Sequence, residues 1–216
     1  MIHPNLLSKL TVNDAKVVQK IVLNTSSEPL LREWILDKDK INLMLDDPKV
    51  HEYLIQKKAK KEISATLYYY IITRHIFLKH YIENSILAEY VSAIIEEFSI
   101  GTRAFKIARY DDDQYMYLAD ISKDIQTYKG DRAFLLATHL GNYALWLSGL
   151  FPEHIHTKTM SMSYYDVMGC RGFRMASVHP CAERYGLTSV FENLIDNYSD
   201  IRIALNDLST VVNFSR

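Results

Sequence analysis

Glycine and proline are scarce in this sequence. Of 216 residues, 7 are glycine and 5 are proline, which is roughly half the usual share of each. All 7 glycines follow residue 100, so the first hundred residues have little access to positive φ angles. Rossmann-type, P-loop and turn-rich β folds need glycine where the backbone bends sharply or approaches a phosphate. The composition therefore excludes these classes.

The sequence also lacks an excess of charge of either sign. Its 25 basic and 26 acidic side chains give a formal net charge of −1, which provides no field to attract nucleic acid or an acidic membrane. We therefore expect no nucleic-acid partner. Two cysteines, Cys170 and Cys181, are too few for a disulfide framework in a chain of this length. With no signal-peptide pattern at the N-terminus, they predict a cytoplasmic protein.

Apolar residues recur at the three- and four-residue steps of an α-helix almost throughout the chain. The longest such stretch, 62–99, contains no glycine or proline and predicts one long helix. Caps, prolines and apolar spacing predict the other helices, over 11–23, from Pro29, from Pro48 after Asp46-Asp47, over Tyr115–Thr127, and over 132–151, 161–177 and 186–212. The dipeptide Gly130-Asp131 predicts a helix stop followed by an aspartate N-cap. A lysine cluster at 57–61 is typical of a solvated helix end.

Residues 133–151 carry no fixed charge and approach the length of a membrane span. Polar residues and glycines dilute the segment, so we expect no membrane span. A central helix surrounded by other helices explains apolar residues on every side. The predicted fold is therefore all-α, a single multi-helix bundle over 1–216 with a long central helix, in which N-terminal helices of 1–61 pack on a core formed by 62–216.

Two groups of polar residues are candidates for a site. His139, Asn142, Tyr143 and Trp146 share one helix face. This face is either a wall of a ligand pocket, in which His139 acts as acid, base or ligand, or a satisfied hydrogen-bond network inside the protein. Arg171 and Arg174 suit a carboxylate or phosphate, or else pair with nearby aspartates. Beside them, Gly169, Gly172 and Ala176 form a small-residue strip that another helix or a flat ligand can approach.

His75 lies on the apolar stripe of the stretch 62–99. A mononuclear metal site formed with His139 is one interpretation, and a hydrogen-bonded core histidine is the other. The sequence contains neither a complete zinc ligand set nor a nucleophile motif. We predict no metal site and assign no cofactor.

The segments Leu140-Gly141-Asn142 through Leu150-Phe151-Pro152-Glu153, and Tyr164-Tyr165-Asp166-Val167-Met168-Gly169, resemble a group of uncharacterised bacterial helical proteins. The resemblance covers the last third to half of the chain. It implies that the two segments form one unit, and it implies no activity.

Tyrosine is abundant, at 15 residues, and its ring and hydroxyl suit both pocket walls and protein interfaces. Two functional hypotheses follow. The first is an interaction protein that self-associates through tyrosine-rich helix faces. The second is a small-molecule or cofactor binder, and possible enzyme, whose internal pocket is lined by His75, His139, Asn142, Tyr143, Tyr164, Arg171 and Arg174.

Overall fold

The structure is a computed structural model that describes residues 2–24, 37–55, 62–156 and 161–212. Across these ranges every regular element is helical and no strand occurs, which confirms the all-α prediction. The chain divides into two compact units. The N-terminal unit is Pro4–Glu96, and the C-terminal unit is Glu97–Arg216 together with Met1–His3. This division differs from the boundary predicted at 61, and a single folding domain over 1–216 stays a prediction.

The N-terminal unit contains α1 (Leu6–Lys9), α2 (Val12–Leu23), α3 (Lys38–Leu45), α4 (Pro48–Ile55), α5 (Ala65–Lys79) and most of α6 (Ser85–Phe98). Helix α2 packs on α3 and α4, and α5 packs on α1 and α4. The start of α2 and the start of α4 at Pro48 are as predicted, and of the two cap residues that the sequence offers for α2, Thr11 and Asn13, the N-cap is Thr11. The helix predicted from Pro29 and the lysine cluster at 57–61 lie outside the described residues.

The stretch 62–99, predicted as one helix, is in fact two. Residues 80–84 separate α5 from α6, and within them Tyr81 adopts a left-handed φ of 59°. The side-chain oxygen of Asn84 then accepts a hydrogen bond from a backbone N–H two residues ahead, at 3.0 Å, as an N-cap does. The prediction was wrong because the apolar spacing continues through the break and no glycine or proline marks it.

Arg74 holds the connection between α5 and α6 in place. Its Nε and Nη2 each donate to a carboxylate oxygen of Asp46 at 2.8 Å, and its Nη1 donates to the carbonyl of Glu83 at 2.6 Å. The arginine side chain is buried, whereas the aspartate is partly exposed. This planar group therefore links the corner between α3 and α4 to the turn after α5.

We expect Arg74→Met to lower the free energy of unfolding by about 2 kcal/mol, because it leaves Asp46 and the backbone carbonyl of Glu83 without their donor. Urea denaturation followed by circular dichroism measures the change. The matched control is Lys40→Met, which removes the exposed ion pair with Asp37 and should change stability by less than about 0.5 kcal/mol. Equal losses in the two variants would contradict the role assigned to Arg74.

The C-terminal unit is built around one long helix. After a 3-10 turn at Arg103–Phe105 come α7 (Leu118–Thr127), α8 (Gly130–Leu150), α9 (Pro152–His156), α10 (Met162–Ser177), α11 (Pro180–Arg184), α12 (Thr188–Asp196) and α13 (Tyr198–Val211). Helix α8 packs against α7, α9, α10 and α13, and its residues 136–150 are all buried. The predicted central helix is confirmed. In the described ranges, no helix is long and apolar enough to cross a membrane.

Two helix boundaries in this unit differ from prediction. The segment 186–212 is two helices, α12 and α13, with Asn197 between them. The side-chain amides of Asn193 and Asn197 donate to backbone carbonyls four residues earlier, at 2.6 and 2.8 Å, and such bonds compete with the regular helical pattern. At the start of α8 the N-cap is Lys129, and Asp131, predicted as the cap, lies in the first turn.

Glycines let α10 lie in backbone contact with α8. A Cβ atom on Gly172 would lie 2.5 Å from the backbone nitrogen of Gly141 and 2.8 Å from the carbonyl oxygen of Ala137. At the start of the same strip, Gly169 lies against the ring of Tyr198 on α13. The small-residue strip predicted to admit a helix or a flat ligand is thus occupied by two helices.

Candidate functional site

The predicted face of α8 forms a buried stack of rings. His139 stacks on Tyr143 with ring centroids 5.7 Å apart, and Tyr143 stacks on Trp146 at 6.0 Å. Phe98 meets both ends of the stack edge-on, at 5.5 Å from His139 and 5.7 Å from Trp146. The helical spacing of these residues places them on one side of α8, so this part of the predicted constellation is assembled as expected.

His139 is held in its neutral form. Burial lowers the pKa of its imidazole to about 3, and the charge of the Arg103 guanidinium lowers it further. A hydrogen bond to the backbone of Ala104 acts in the opposite direction and raises the pKa. An imidazole N–H that donates to a carbonyl has this effect, because the bond favours the charged ring. A histidine held neutral in this way is a hydrogen-bonding group rather than an acid at neutral pH.

The free space beside His139 is small. A cavity of about 20 Å³ is lined by Ile2, Phe98, Arg103, Ile107, Leu135, Thr138, His139 and Asn142. Pockets for small molecules measure roughly 300–1,000 Å³, whereas one water needs about 10–15 Å³. The space beside His139 therefore fits a water molecule and excludes a cofactor.

A charged cluster that the sequence analysis missed lies next to this cavity. Glu97 accepts hydrogen bonds from Nε of Arg109 at 2.9 Å and from Nε of Arg103 at 2.7 Å. Hydrogen bonds and charge from Arg109 and Arg103 lower the pKa of the Glu97 carboxyl to about 2, against the opposing effect of its burial. Two adjacent glutamates at the end of an apolar helix, with arginines six and twelve residues after the second, are a weak signal in sequence. The cluster balances the charge of the buried Arg103.

The other predicted residues of this unit lie on a different side of α8. Tyr164, Arg171 and Arg174 belong to α10, which meets α8 at Gly141. At roughly 100° per residue, the side chain of His139 points about 160° away from Gly141 around α8. Arg171 and Arg174 are exposed, and Tyr164 is half-buried. The structure does not bring these three residues together with the ring stack.

His75 belongs to the N-terminal unit. Its ring lies parallel to that of His51, with centroids 3.3 Å apart and planes 8° apart. Burial lowers the pKa of His51 to about 4, and the charges of His75 and Lys79 lower it further. Burial lowers the pKa of His75 as well. The stack thus holds two neutral rings, and His51 is a partner that helical spacing alone did not reveal.

The N-terminal unit also has an open groove that the sequence did not predict. Its volume is about 420 Å³, and it is lined by Val17, Lys20, Ile21, Asn24, Lys49, Glu52, Tyr53 and Glu62. The hydroxyl of Tyr53 donates to Glu62 at 2.5 Å. The groove carries two lysines and two glutamates, so its lining has no excess of either charge.

Comparisons with known proteins do not assign this arrangement. No family model, curated protein or solved structure matches the chain. The resemblance to a bacterial helical family stays a prediction. Among the residues that the structure describes, no group of three or more histidine, cysteine, aspartate or glutamate side chains is placed to hold a metal ion.

Proposed function

We propose that this chain is a helical interaction protein that associates with a second copy of itself in the cytoplasm. The observation that carries the proposal is the exposure of large aromatic side chains between residues 110 and 128, here named the tyrosine segment. Within it, Tyr110 is 85% exposed and Tyr117 is 65% exposed. Met116 and Tyr128 are exposed as well.

The composition of the tyrosine segment is typical of an interface. Tyrosine and methionine are enriched at protein interfaces. Tyrosine buries a large ring while its hydroxyl keeps a hydrogen-bond partner, and methionine adapts its shape to the surface it meets. The segment also contains the exposed aspartates Asp112 and Asp113. Two such segments would repel each other if they met face to face, so the surface that covers one of them must supply cations.

Helix α10 offers such cations. Arg171 and Arg174 are exposed on it. Burial raises the pKa of Tyr164 at the start of α10, and the charge of Asp120 in the tyrosine segment raises it further. The two surfaces are therefore neighbours in the same unit. In a two-fold dimer, the tyrosine segment of each copy can face α10 of the other, so that each contact is made twice. A stable interface of this kind buries on the order of 1,600 Å² in total.

Sedimentation velocity over a range of concentrations tests this proposal. We expect the mass to rise with concentration towards that of a dimer, and we expect the double variant Tyr110→Ser/Tyr117→Ser to remain monomeric because it loses the central apolar contacts. Leu43→Ser is the matched control, since it removes an apolar side chain that is 76% exposed on α3 of the N-terminal unit and should leave association unchanged. A wild-type protein that stays monomeric at its highest concentration would rule the dimer out.

A second candidate function is small-molecule binding in the groove of the N-terminal unit. The observation that favours it is the volume of about 420 Å³, which falls within the range of ligand pockets. Native mass spectrometry of the purified protein separates the two candidates in one measurement. A dimer mass without extra mass supports self-association, whereas a monomer that retains a bound molecule supports the binder. The free thiols of Cys170 and Cys181 support a reducing compartment for either function.

A further inference from the structure

Some buried polar atoms in the C-terminal unit have no hydrogen-bond partner among the described residues. The two that lie at the cavity beside α8 are Nε2 of His139 and Oγ1 of Thr138, on side chains that are only 4% and 3% exposed. Both residues line the cavity of about 20 Å³. Buried polar atoms in native proteins are nearly always hydrogen-bonded to protein or to an ordered water. Two such atoms at one small cavity therefore point to a ligand.

The protonation of His139 defines what the ligand must do. The ring is neutral, so one nitrogen carries the proton and the other carries a lone pair. Because Nε2 has no partner, the hydrogen bond to the backbone of Ala104 belongs to Nδ1–H. Nε2 is then an acceptor that needs a donor, whereas the hydroxyl of Thr138 can donate or accept.

We propose that this cavity is a binding site for one internal water molecule, which donates to Nε2 of His139 and accepts from the hydroxyl of Thr138. The volume fits one water, and a water held inside a protein needs two to four polar partners. Asn142 lines the same cavity and offers a third. The guanidinium of Arg103 also lines it, which disfavours a metal cation. The site does not depend on self-association.

Protein–water cross-relaxation measured by NMR on the full chain tests the proposal. A water bound in the interior gives cross-peaks to protons of His139 and Thr138 with the sign of an internal, slowly exchanging molecule. We expect these cross-peaks in the wild type. Labelling the histidines with nitrogen-15 additionally reports whether Nδ1 of His139 carries the proton.

Two substitutions at Thr138 separate a bound water from a dry cavity. Thr138→Val keeps the shape of the side chain and removes the hydroxyl, so the water cross-peaks should disappear. The folding equilibrium constant should fall about tenfold, because Nε2 of His139 loses the molecule that satisfied it. Thr138→Ser is the matched control, since it keeps the hydroxyl and should keep the cross-peaks.

Each result decides the proposal. A wild-type protein without the cross-peaks would overturn it, whatever the variants do. Cross-peaks that persist unchanged in Thr138→Val would remove Thr138 from the site. In a dry cavity, Thr138→Val buries a methyl group in place of an unpaired hydroxyl, so it would leave the folding equilibrium unchanged or favour the folded state.

Discussion

Gly172→Ala is expected to destabilise the C-terminal unit by about 3 kcal/mol, although the same change normally stabilises a helix. In an exposed helix interior, alanine is better than glycine by about 1 kcal/mol. At Gly172, however, the added Cβ would lie 2.5 Å from a backbone nitrogen of α8. Backbone atoms cannot rotate out of the way, so the two helices must separate, and such overpacking costs about 1–3 kcal/mol or more. Packing should therefore outweigh helix propensity.

The control for this prediction is Val167→Ala in α10. Val167 is 62% exposed, so the substitution changes helix propensity without adding an atom between the two helices. Val167→Ala should therefore change the free energy of unfolding by about 0.5 kcal/mol at most. Urea denaturation of both variants gives the comparison. If Gly172→Ala were as stable as the wild type, the backbone contact between α8 and α10 would not be tight.

Acid should destabilise the C-terminal unit through His139. The pKa of its imidazole is about 3 in the folded protein and about 6.5 in an unfolded chain. The unfolded chain therefore binds the proton first as the pH falls. The stabilisation is fully present above about pH 6.5 and is lost as the pH falls through the folded pKa. Between pH 7 and about pH 4, this single group should lower the free energy of unfolding by about 3 kcal/mol.

Urea unfolding at several pH values tests this dependence. The variant His139→Gln has no titrating group at this position. Between pH 7 and about pH 4, its free energy of unfolding should therefore fall by about 3 kcal/mol less than that of the wild type. Leu140→Ala is the control, because it truncates a fully buried neighbour without removing a titrating group. Its pH profile should run parallel to that of the wild type. Parallel profiles for His139→Gln and the wild type would show that His139 is not held neutral.

The chemistry of the ring stack could be predicted from the sequence only in part. Spacing on one helix predicted that His139, Asn142 and Tyr143 share a face, and they do. Helical spacing could not predict that Arg103 and Phe98 pack on this face, because both residues precede His139 by more than thirty positions in the sequence. Helical spacing also could not predict the volume of the cavity beside His139. Whether a buried polar face lines a pocket or a close-packed interior depends on the neighbours.

The pocket residues of the second hypothesis come from separate places. That hypothesis places Tyr164, Arg171 and Arg174 in one pocket with His139, which requires the face of α8 that carries His139 to meet α10. The packing occurs, but through Gly141 and Gly172, on another side of α8 from His139. Two helices can meet through any of several faces, and only the small residues in contact show which. The same glycines were visible in sequence, but their partners were not.

The helical class and the position of the central helix follow from the amino-acid pattern alone. Scarce glycine and proline, the helical spacing of apolar residues and the uncharged stretch 133–151 are local properties, and local properties specify elements. Three further features follow only from the folded chain: the break at 80–84, the contact between Gly172 and Gly141, and the neutral state of His139. Each feature depends on contacts between residues far apart in the chain, and such contacts produce no periodic pattern in the sequence.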